Sequence, residues 1–509
     1  MQCRVSIIRA ISRDYDSIVA ALAGFLIIQV FARHSGIGIS PDSVIYMSTA
    51  TNILDRGVIN DFSGWPMMDF PAGYPFFLAL VQGLARTEIR HCGPVLNGLL
   101  FAGLIFTSGW LMERFTVSSK WYKWALLTII PMSPCLQEIY SMIWSETLFL
   151  LLVLLFIPAL RHYLLAPSAG RLLLPALIAA LACVTRYAGV SLIMLGGGLI
   201  LCIRDLDWLR KLLHGLLFGL LSSTLFALNL YRNHRVTGTL TGYREKAITS
   251  FGANLHHYGS VLCDWLPFFN GDYTLASFAG AFFILLGTGL FIRRWVLHVH
   301  FFSYDNIGAA YFIVYTIFIL ATASLSRFQQ LDSRLLSPLC IPWLWAGSSW
   351  IPGWVRGLSS RGRPIRWGLS IACLGLFASF QAGQWRSFQM NWEGIKYAGI
   401  PGYTEEQWRQ SPTMDFIRHN ADMHKPGAPV YSNAYEGIWF LTGVHSDLIP
   451  HKEFIQDIRE MLHEDHFYVI WFNDSANEDL LSIDSIMQYK QVAREYTFDD
   501  GKVYLFTKK

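Results

Sequence analysis

The chain has 509 residues, more than one small domain needs, with 53% apolar and only 15% charged side chains. Soluble globular domains carry about 25% charge, so this composition, with a mean hydropathy of +0.35, excludes a purely water-soluble protein. The net charge of +4 is small for the length and gives no sign of a nucleic-acid partner; none is expected.

At the N-terminus, Arg4, Arg9 and Arg13 precede a long apolar run with no small-residue cleavage site after it. A retained first span fits that pattern better than a cleaved signal. Further apolar runs recur to about residue 382, each long enough to cross ~30 Å of hydrocarbon as a helix. The expected spans are 17–31, 94–112, 122–136, 143–160, 172–184, 188–203, 212–231, 273–292, 307–325, 335–350 and 367–382. The fold class expected is thus a polytopic α-helical membrane protein of about 11 spans.

Lysine and arginine in the short loops set the orientation. With the N-terminus in the cytoplasm, one side holds Arg114, Lys120 and Lys123; Arg161 and Arg171; Arg204, Arg210 and Lys211; Arg293 and Arg294; and Arg356, Arg361, Arg363 and Arg366. The stretch RGLSSRGRPIR is the strongest of these markers. An odd number of spans then puts the C-terminus outside. Two long outer segments follow, 32–93 and 232–272. In the first, SVIYMSTATNILDRG has the pattern of an amphipathic interfacial helix ended by Gly57. PAGYPFFLALVQGLA is expected to form a second surface helix, with a short extra span as the competing reading.

From residue 384 the composition turns polar. GAPVYSN, HFYVIWFND and KVYLFTK read as strands, and TEEQWRQSPTMDFIRHNA and KEFIQDIREMLHE as helices. The expected organisation is a membrane domain over 1–383 and a small soluble α/β domain over 384–509, outside the membrane. Of the eight cysteines, Cys135, Cys183, Cys202, Cys340 and Cys373 lie in apolar runs and behave as small hydrophobes. No CxxC pair is present, so no zinc or dithiol framework is expected. Cys92 and Cys263 fall in loops expected outside, but spacing alone does not establish a disulfide.

Several motifs carry charge to the outer ends of spans. Asp42 opens the first outer helix, where an anion is favoured and where it can serve as a cap. Asp69 precedes Pro71 and reads equally as a turn residue. Glu146 begins a span, and a carboxylate at that depth points to a site unless it merely complements the helix start. Arg186 lies in a tight outer turn and Arg334 at the outer start of a span; each can hold a phosphate bidentately or snorkel to headgroups. Arg232, Arg235, Arg244 and Lys246 make a basic outer loop, which any anionic lipid would also attract. His256 and His257 are adjacent and have no partner at metal-ligand spacing. The tryptophans and tyrosines at span ends read as an interfacial belt. In the tail, Tyr435, Glu436 and Trp439 can bind a glycan or polypeptide, or can pack a core.

The order of these pieces resembles the GT-C glycosyltransferases, multi-span enzymes that take sugars from polyprenyl phosphates, such as protein O-mannosyltransferases and aminoarabinose transferases. Asp42 with Tyr46 one turn on, a helix ending in glycine, and the Pro–x–Gly–Tyr–Pro turn at Tyr74 resemble their opening. SMIWSETLFLLLVLL, VTRYAG, YRNHRVTGTLTGYR and LDSRLLSP resemble later elements in the same order. Many members have Asp–Glu where this chain has Asp42–Ser43. The resemblance implies a base role for Asp42, site roles for Glu146 and Asp69, and substrate contacts from Tyr46, Tyr74, Arg186, Arg244, Asp332 and Arg334. Chemically, loss of a lipid phosphate from the anomeric carbon needs a carboxylate to take the acceptor proton and cations to stabilise the leaving phosphate.

The expected activity is inverting transfer from a polyprenyl-phosphate sugar to a glycan, lipid or protein hydroxyl. It would occur at the outer face of a bacterial-type inner membrane, in cell-envelope glycan synthesis. No metal ligands are identified, although Asp69 can bind a divalent cation. Two rival readings are a transporter or flippase for a lipid-linked sugar and a non-catalytic assembly protein. The first predicts internal repeats and ionisable groups at mid-membrane, which the sequence does not show. The second predicts that Asp42 does nothing.

Overall fold

The structure, a computed structural model, describes the chain except residues 1, 116–118, 243–245, 267–274, 298–299, 328–329, 349–350, 361, 426–428 and 476. It divides into two compact units. One comprises Met1–Val30, Met68–Tyr74 and Cys92–Glu393; the other comprises Phe31–Met67, Pro75–His91 and Gly394–Lys509.

The first unit is helical. Among the described residues, seven helices of the chain are long and apolar enough to cross a membrane: Asp14–Phe31, Ile89–Met112, Glu146–Leu165, Trp208–Thr237, Ala276–Leu297, Tyr304–Leu325 and Arg363–Ala398. Gly73–Ala85, Ala169–Thr185 and Tyr187–Leu201 are shorter apolar helices. The protein is a multi-pass membrane protein, and its exposed surface explains why. Leu173, Leu177, Leu213, Leu216, Leu220, Ile371 and Leu374 are each more than half exposed. In water such stripes would be costly; against lipid they are the expected outer face of a bundle.

Three expected spans are interrupted, two of them at prolines. The 122–136 run is split into Lys120–Met132 and Pro134–Ser141, with Ser133 extended between them. Pro134 has no N–H to continue the ladder, and its ring disfavours helical geometry at Ser133. The 335–350 run divides into Ser333–Leu336, a 3₁₀ turn at Ser337–Leu339 around Pro338, and Cys340–Ser348. The 143–160 run becomes helical only at Glu146. Just before it, Asn97 Nδ2 donates to the carbonyls of Tyr140 (3.0 Å), in the last turn of Pro134–Ser141, and of Met142 (2.7 Å), which caps that helix.

In the second unit, the Pro41–Arg56 helix begins at Ser40, whose Oγ accepts from the Ser43 N–H while Ser43 Oγ accepts from the Ser40 N–H. This reciprocal box satisfies two groups that the helix start leaves orphaned. The cap is therefore Ser40, and the capping reading of Asp42 does not hold. The helix ends at Gly57, which has φ 67°, a left-handed conformation that glycine adopts without penalty. Ser40→Ala is expected to cost about 1 kcal/mol, read as a lowered Tm in thermal melts of the purified protein.

The C-terminal residues form a five-stranded sheet of order β2-β1-β3-β5-β4. Here β1 is Val430–Ser432, β2 Asp447–Leu448, β3 His466–Phe472, β4 Lys490–Thr497 and β5 Gly501–Lys508. β1 pairs in parallel with β2 and β3, while β5 is antiparallel to β3 and β4. The period of two decides the layers. Tyr468, Ile470 and Phe472 face a core with Met414, Ile417 and Ile438. Phe467 and Val469 face the other, with Met461, Ile486 and Phe506. Both faces of β3 are thus covered by helices, which is why HFYVIWF reads as a nearly continuous apolar run. β4 escapes a sequence reading because it is an edge strand: KQVAREYT is charged, largely exposed and bulged between Val492 and Arg494.

Candidate active site

In the membrane unit three residues from distant parts of the sequence converge. Glu146 opens the Glu146–Leu165 helix and is 1% exposed. One carboxylate oxygen pairs with Arg186 Nη1 at 2.5 Å, and the other accepts from Arg334 Nε at 2.6 Å. Arg186 follows the last turn of Ala169–Thr185 and also donates to Ser145 Oγ at 2.9 Å. The Arg334 guanidinium lies over the Trp144 ring, 3.9 Å from its centroid. One buried carboxylate thus fixes the positions of two guanidinium groups, and an aromatic face orients one of them.

The surroundings of this cluster are firmly held. Tyr140 Oη donates to the Thr147 carbonyl at 3.1 Å, and Tyr315 Oη to the Leu335 carbonyl at 2.9 Å. Tyr74 is fully buried, beside Thr147 and within electrostatic reach of Glu146. Asp332, expected to contact substrate, caps the short helix that carries Arg334, accepting from the Leu335 N–H at 2.8 Å. It and Glu138 add negative charge near Arg334. Asp69 is exposed, and its carboxylate lies over Gly242, where a Cβ would fall 2.1 Å from Oδ1. The same segment is anchored at the Met68 carbonyl by Tyr187 Oη at 3.0 Å. Arg244 lies outside the described residues.

An apolar cavity of about 1230 Å³ also lies within the membrane unit, lined by Trp124, Phe282, Phe283, Phe312, Trp343 and Phe380 among others.

In the second unit, Asp42 sits half-buried in the first turn of the Pro41–Arg56 helix, and Tyr46 is 1% exposed one turn later. The Tyr403 N–H donates to the Ile39 carbonyl at 2.7 Å, just before that helix. Gly402 makes this approach feasible, because it has φ 113° and any Cβ there would meet the Ile39 carbonyl oxygen at 2.4 Å. The Pro41–Arg56 helix packs against the Tyr435–Thr442 helix. From that helix Glu436 is 9% exposed, and Tyr403 Oη donates to its Oε2 at 3.4 Å. Phe62 stacks on Trp439 with centroids 4.8 Å apart, and its ring lies 5.7 Å from that of Tyr435. Burial, then the charge of Asp42, raises the Glu436 carboxyl to about 7. Burial likewise raises Asp61, against the hydrogen bonds it accepts from Ser63 and Trp65.

Sequence reasoning named Glu146, Arg186 and Arg334 separately; the structure joins them. It did not find Asn97, Trp144, Ser145 or Tyr403. Of these only Asn97 carried a signal, as an amide inside an apolar run. Cys92 and Cys263 are free thiols. His256 Nδ1 lies 3.3 Å from Ser277 Oγ, and His257 Nδ1 2.9 Å from Gln330 Nε2. Among the described residues, no three His, Cys, Asp or Glu side chains stand together as a metal site would require.

No protein family and no curated protein matches the sequence. Solved structures do match. ArnT from Cupriavidus metallidurans in the apo state aligns over 99% of this chain and 98% of its own, with a TM-score of 0.55 and 13% identity. The same protein bound to undecaprenyl phosphate aligns over 96% of both chains, at 0.51 and 12%. Arabinosyltransferase EmbB from Mycobacterium smegmatis aligns over 74% of this chain and 41% of its own, at 0.34 and 14%. The chain shares the fold of ArnT over nearly its whole length.

Proposed function

We propose that this protein is an inverting glycosyltransferase that moves a sugar from a polyprenyl-phosphate donor to an acceptor hydroxyl at the outer face of the membrane. The observation that carries this reading is the GT-C fold across 99% of the chain. The ArnT structure holding undecaprenyl phosphate supports the donor class. Two observations within the chain agree. The guanidinium groups of Arg186 and Arg334 are fixed together on one carboxylate, a cationic pair suited to a phosphate. The apolar cavity of the membrane unit suits a polyprenyl chain.

In this reading Asp42 takes the proton from the acceptor hydroxyl as its oxygen bonds to the anomeric carbon. The bond from that carbon to the phosphate oxygen breaks on the opposite side, and configuration inverts. The polyprenyl phosphate leaves with one more negative charge, which Arg186 and Arg334 stabilise. Glu146 serves as the buried counter-ion that positions them, since both of its oxygens are engaged in pairing. Asp69 is proposed to orient the acceptor, and Tyr46, Tyr74 and Arg244 to contact substrate. In this reading the N-terminus is cytoplasmic and the C-terminal domain lies outside, as the loop lysines and arginines suggest.

The test is transfer by the purified protein in liposomes, from a panel of radiolabelled polyprenyl-phosphate sugars to a membrane extract. Transfer, or slow hydrolysis of a donor, supports the reading. Translocation of a donor with no bond cleaved across the panel would replace it with a transporter. Arg186→Ala is expected to lower kcat/KM by about 10²-fold, the usual size for a lost charge-stabilising donor, with Arg186→Lys recovering only part because it cannot make the forked contact.

A further inference from the structure

Two buried polar atoms of the membrane unit make no hydrogen bond among the described residues, and their side chains line one small space. Gln384 sits on the Arg363–Ala398 helix, most of which is exposed, yet it is itself only 5% exposed and its Oε1 has no partner. Trp265, just past the Phe251–Asp264 helix, is 9% exposed, and its Nε1 has none either. A polar atom left unpaired away from water is costly, so each of these calls for a partner. The space they share has a volume of about 110 Å³. It adjoins the apolar cavity of about 1230 Å³, because Ile129, Trp343, Leu344 and Phe380 line both.

The walls of this pocket are tied to one another. Gln381 Nε2 donates to Thr128 Oγ1 at 2.6 Å, which joins the helix of Gln384 to Lys120–Met132. Tyr122 Oη donates to the Leu344 carbonyl at 2.8 Å. The Trp343 ring stands edge-on to Trp265, centroids 6.3 Å apart, and edge-on to Phe283, 5.8 Å apart. Trp265 lines the small space and Phe283 the large one, so Trp343 is a wall common to a polar end and an apolar body.

We propose that this pocket binds the hydroxyl of an uncharged lipid alcohol whose chain lies in the adjoining cavity. A hydroxyl both donates and accepts. It can take the Trp265 N–H and give its own proton to Gln384 Oε1, so one group satisfies both orphaned atoms. An ether or ester head would serve Trp265 and leave Gln384 unpaired. A phosphate is a poor fit, because no lysine, arginine or histidine lines the small space among the described residues. Arg356 is on the wall of the larger cavity only. The proposal goes beyond the transfer reading and does not rest on it. It does have a consequence for that reading: the alcohol's chain would occupy the cavity suited to the donor's chain, so the two lipids would exclude one another.

The experiment is native mass spectrometry of the purified full chain, titrated separately with geranylgeraniol, geranylgeranyl phosphate and squalene. The wild type is expected to bind the alcohol saturably and more tightly than squalene, which has the chain but no hydroxyl. Gln384→Leu and Trp265→Phe should each weaken the alcohol by up to about tenfold, the size of one lost hydrogen bond, and leave squalene unchanged. Without ligand, Gln384→Leu should keep or raise the wild-type Tm, since it replaces an unpaired buried amide with an apolar side chain. If that variant does not fold, Trp265→Phe carries the comparison. Dioleoylglycerol run beside geranylgeraniol tells which chain the cavity prefers, and binding of either that depends on Gln384 supports the pocket. Alcohol binding no tighter than squalene, or unmoved in both variants, overturns the proposal and leaves a pocket that holds water. Tighter binding of the phosphate, lost in the same variants, also overturns it and gives the pocket to the donor lipid.

Discussion

Replacement of Glu146 by alanine is expected to destabilise the membrane unit by about 3–5 kcal/mol and to abolish transfer. The carboxylate is 1% exposed and is paired with two arginines that are themselves mostly covered, 18% and 22% exposed. Removing it takes the shared counter-ion from two poorly solvated cations, and breaking a buried pair from one side costs more than the worth of the pair itself. The arginines would then swing toward water or headgroups, and the Trp144 face would lose its guanidinium. The variant should melt earlier in detergent and show no transfer even where it stays folded. Glu146→Gln separates the two effects. It preserves shape and one acceptor oxygen, so it should recover part of the stability while Arg186 and Arg334 remain misplaced. A wild-type melting profile in Glu146→Ala would show that the arginines are held by other contacts, and would remove Glu146 from the site.

The second large effect concerns Asp42. Asp42→Asn is expected to lower the rate of transfer by about 10²–10⁴-fold, the span typical of a lost general base, with little change in stability. Both halves of that expectation come from the same local structure. Because Ser40 and Ser43 satisfy the helix start between them, the fold does not draw on Asp42 for capping. The carboxylate is half-buried in the first turn, where the helix dipole favours an anion by about 0.3–1 kcal/mol. An isosteric amide forfeits that small term and the ability to accept a proton, and keeps the side chain's volume. Equal transfer by wild type and Asp42→Asn, measured with the same radiolabelled donors, would leave an enzyme whose base lies elsewhere. Loss of folding in Asp42→Asn would instead show that the side chain holds the helix, contrary to the capping geometry.

The GT-C resemblance seen in the ordered motifs from Asp42 to LDSRLLSP was matched by the shared fold with ArnT. The helical runs were also legible, because a helix that meets lipid must be apolar all along its outer face, and that requirement is written in consecutive residues. Local chemistry was equally visible where it acts between neighbours. Gly57 ends its helix as a glycine in left-handed geometry should, and the apolar runs HFYVIWF and KVYLFTK coincide with β3 and β5. What failed did so at prolines, where Pro134 and Pro338 cut spans that hydropathy alone runs together, and at a long-range contact, where Asn97 donates to the Tyr140 and Met142 carbonyls at the end of the Pro134–Ser141 helix.

By itself, then, the sequence determined a multi-pass membrane protein with a polar α/β tail, and it marked the ionised residues at the ends of the apolar runs, since a charge is conspicuous against hydrocarbon. The tertiary structure alone decided how they combine. Arg334 lies 188 positions from Glu146, and Tyr403 lies 33 from Glu436. Which arginines share a carboxylate, and which carboxyl is deeply buried, are set by distances across the fold. Those quantities depend on residues brought together from across the fold and have no trace in any single stretch of sequence.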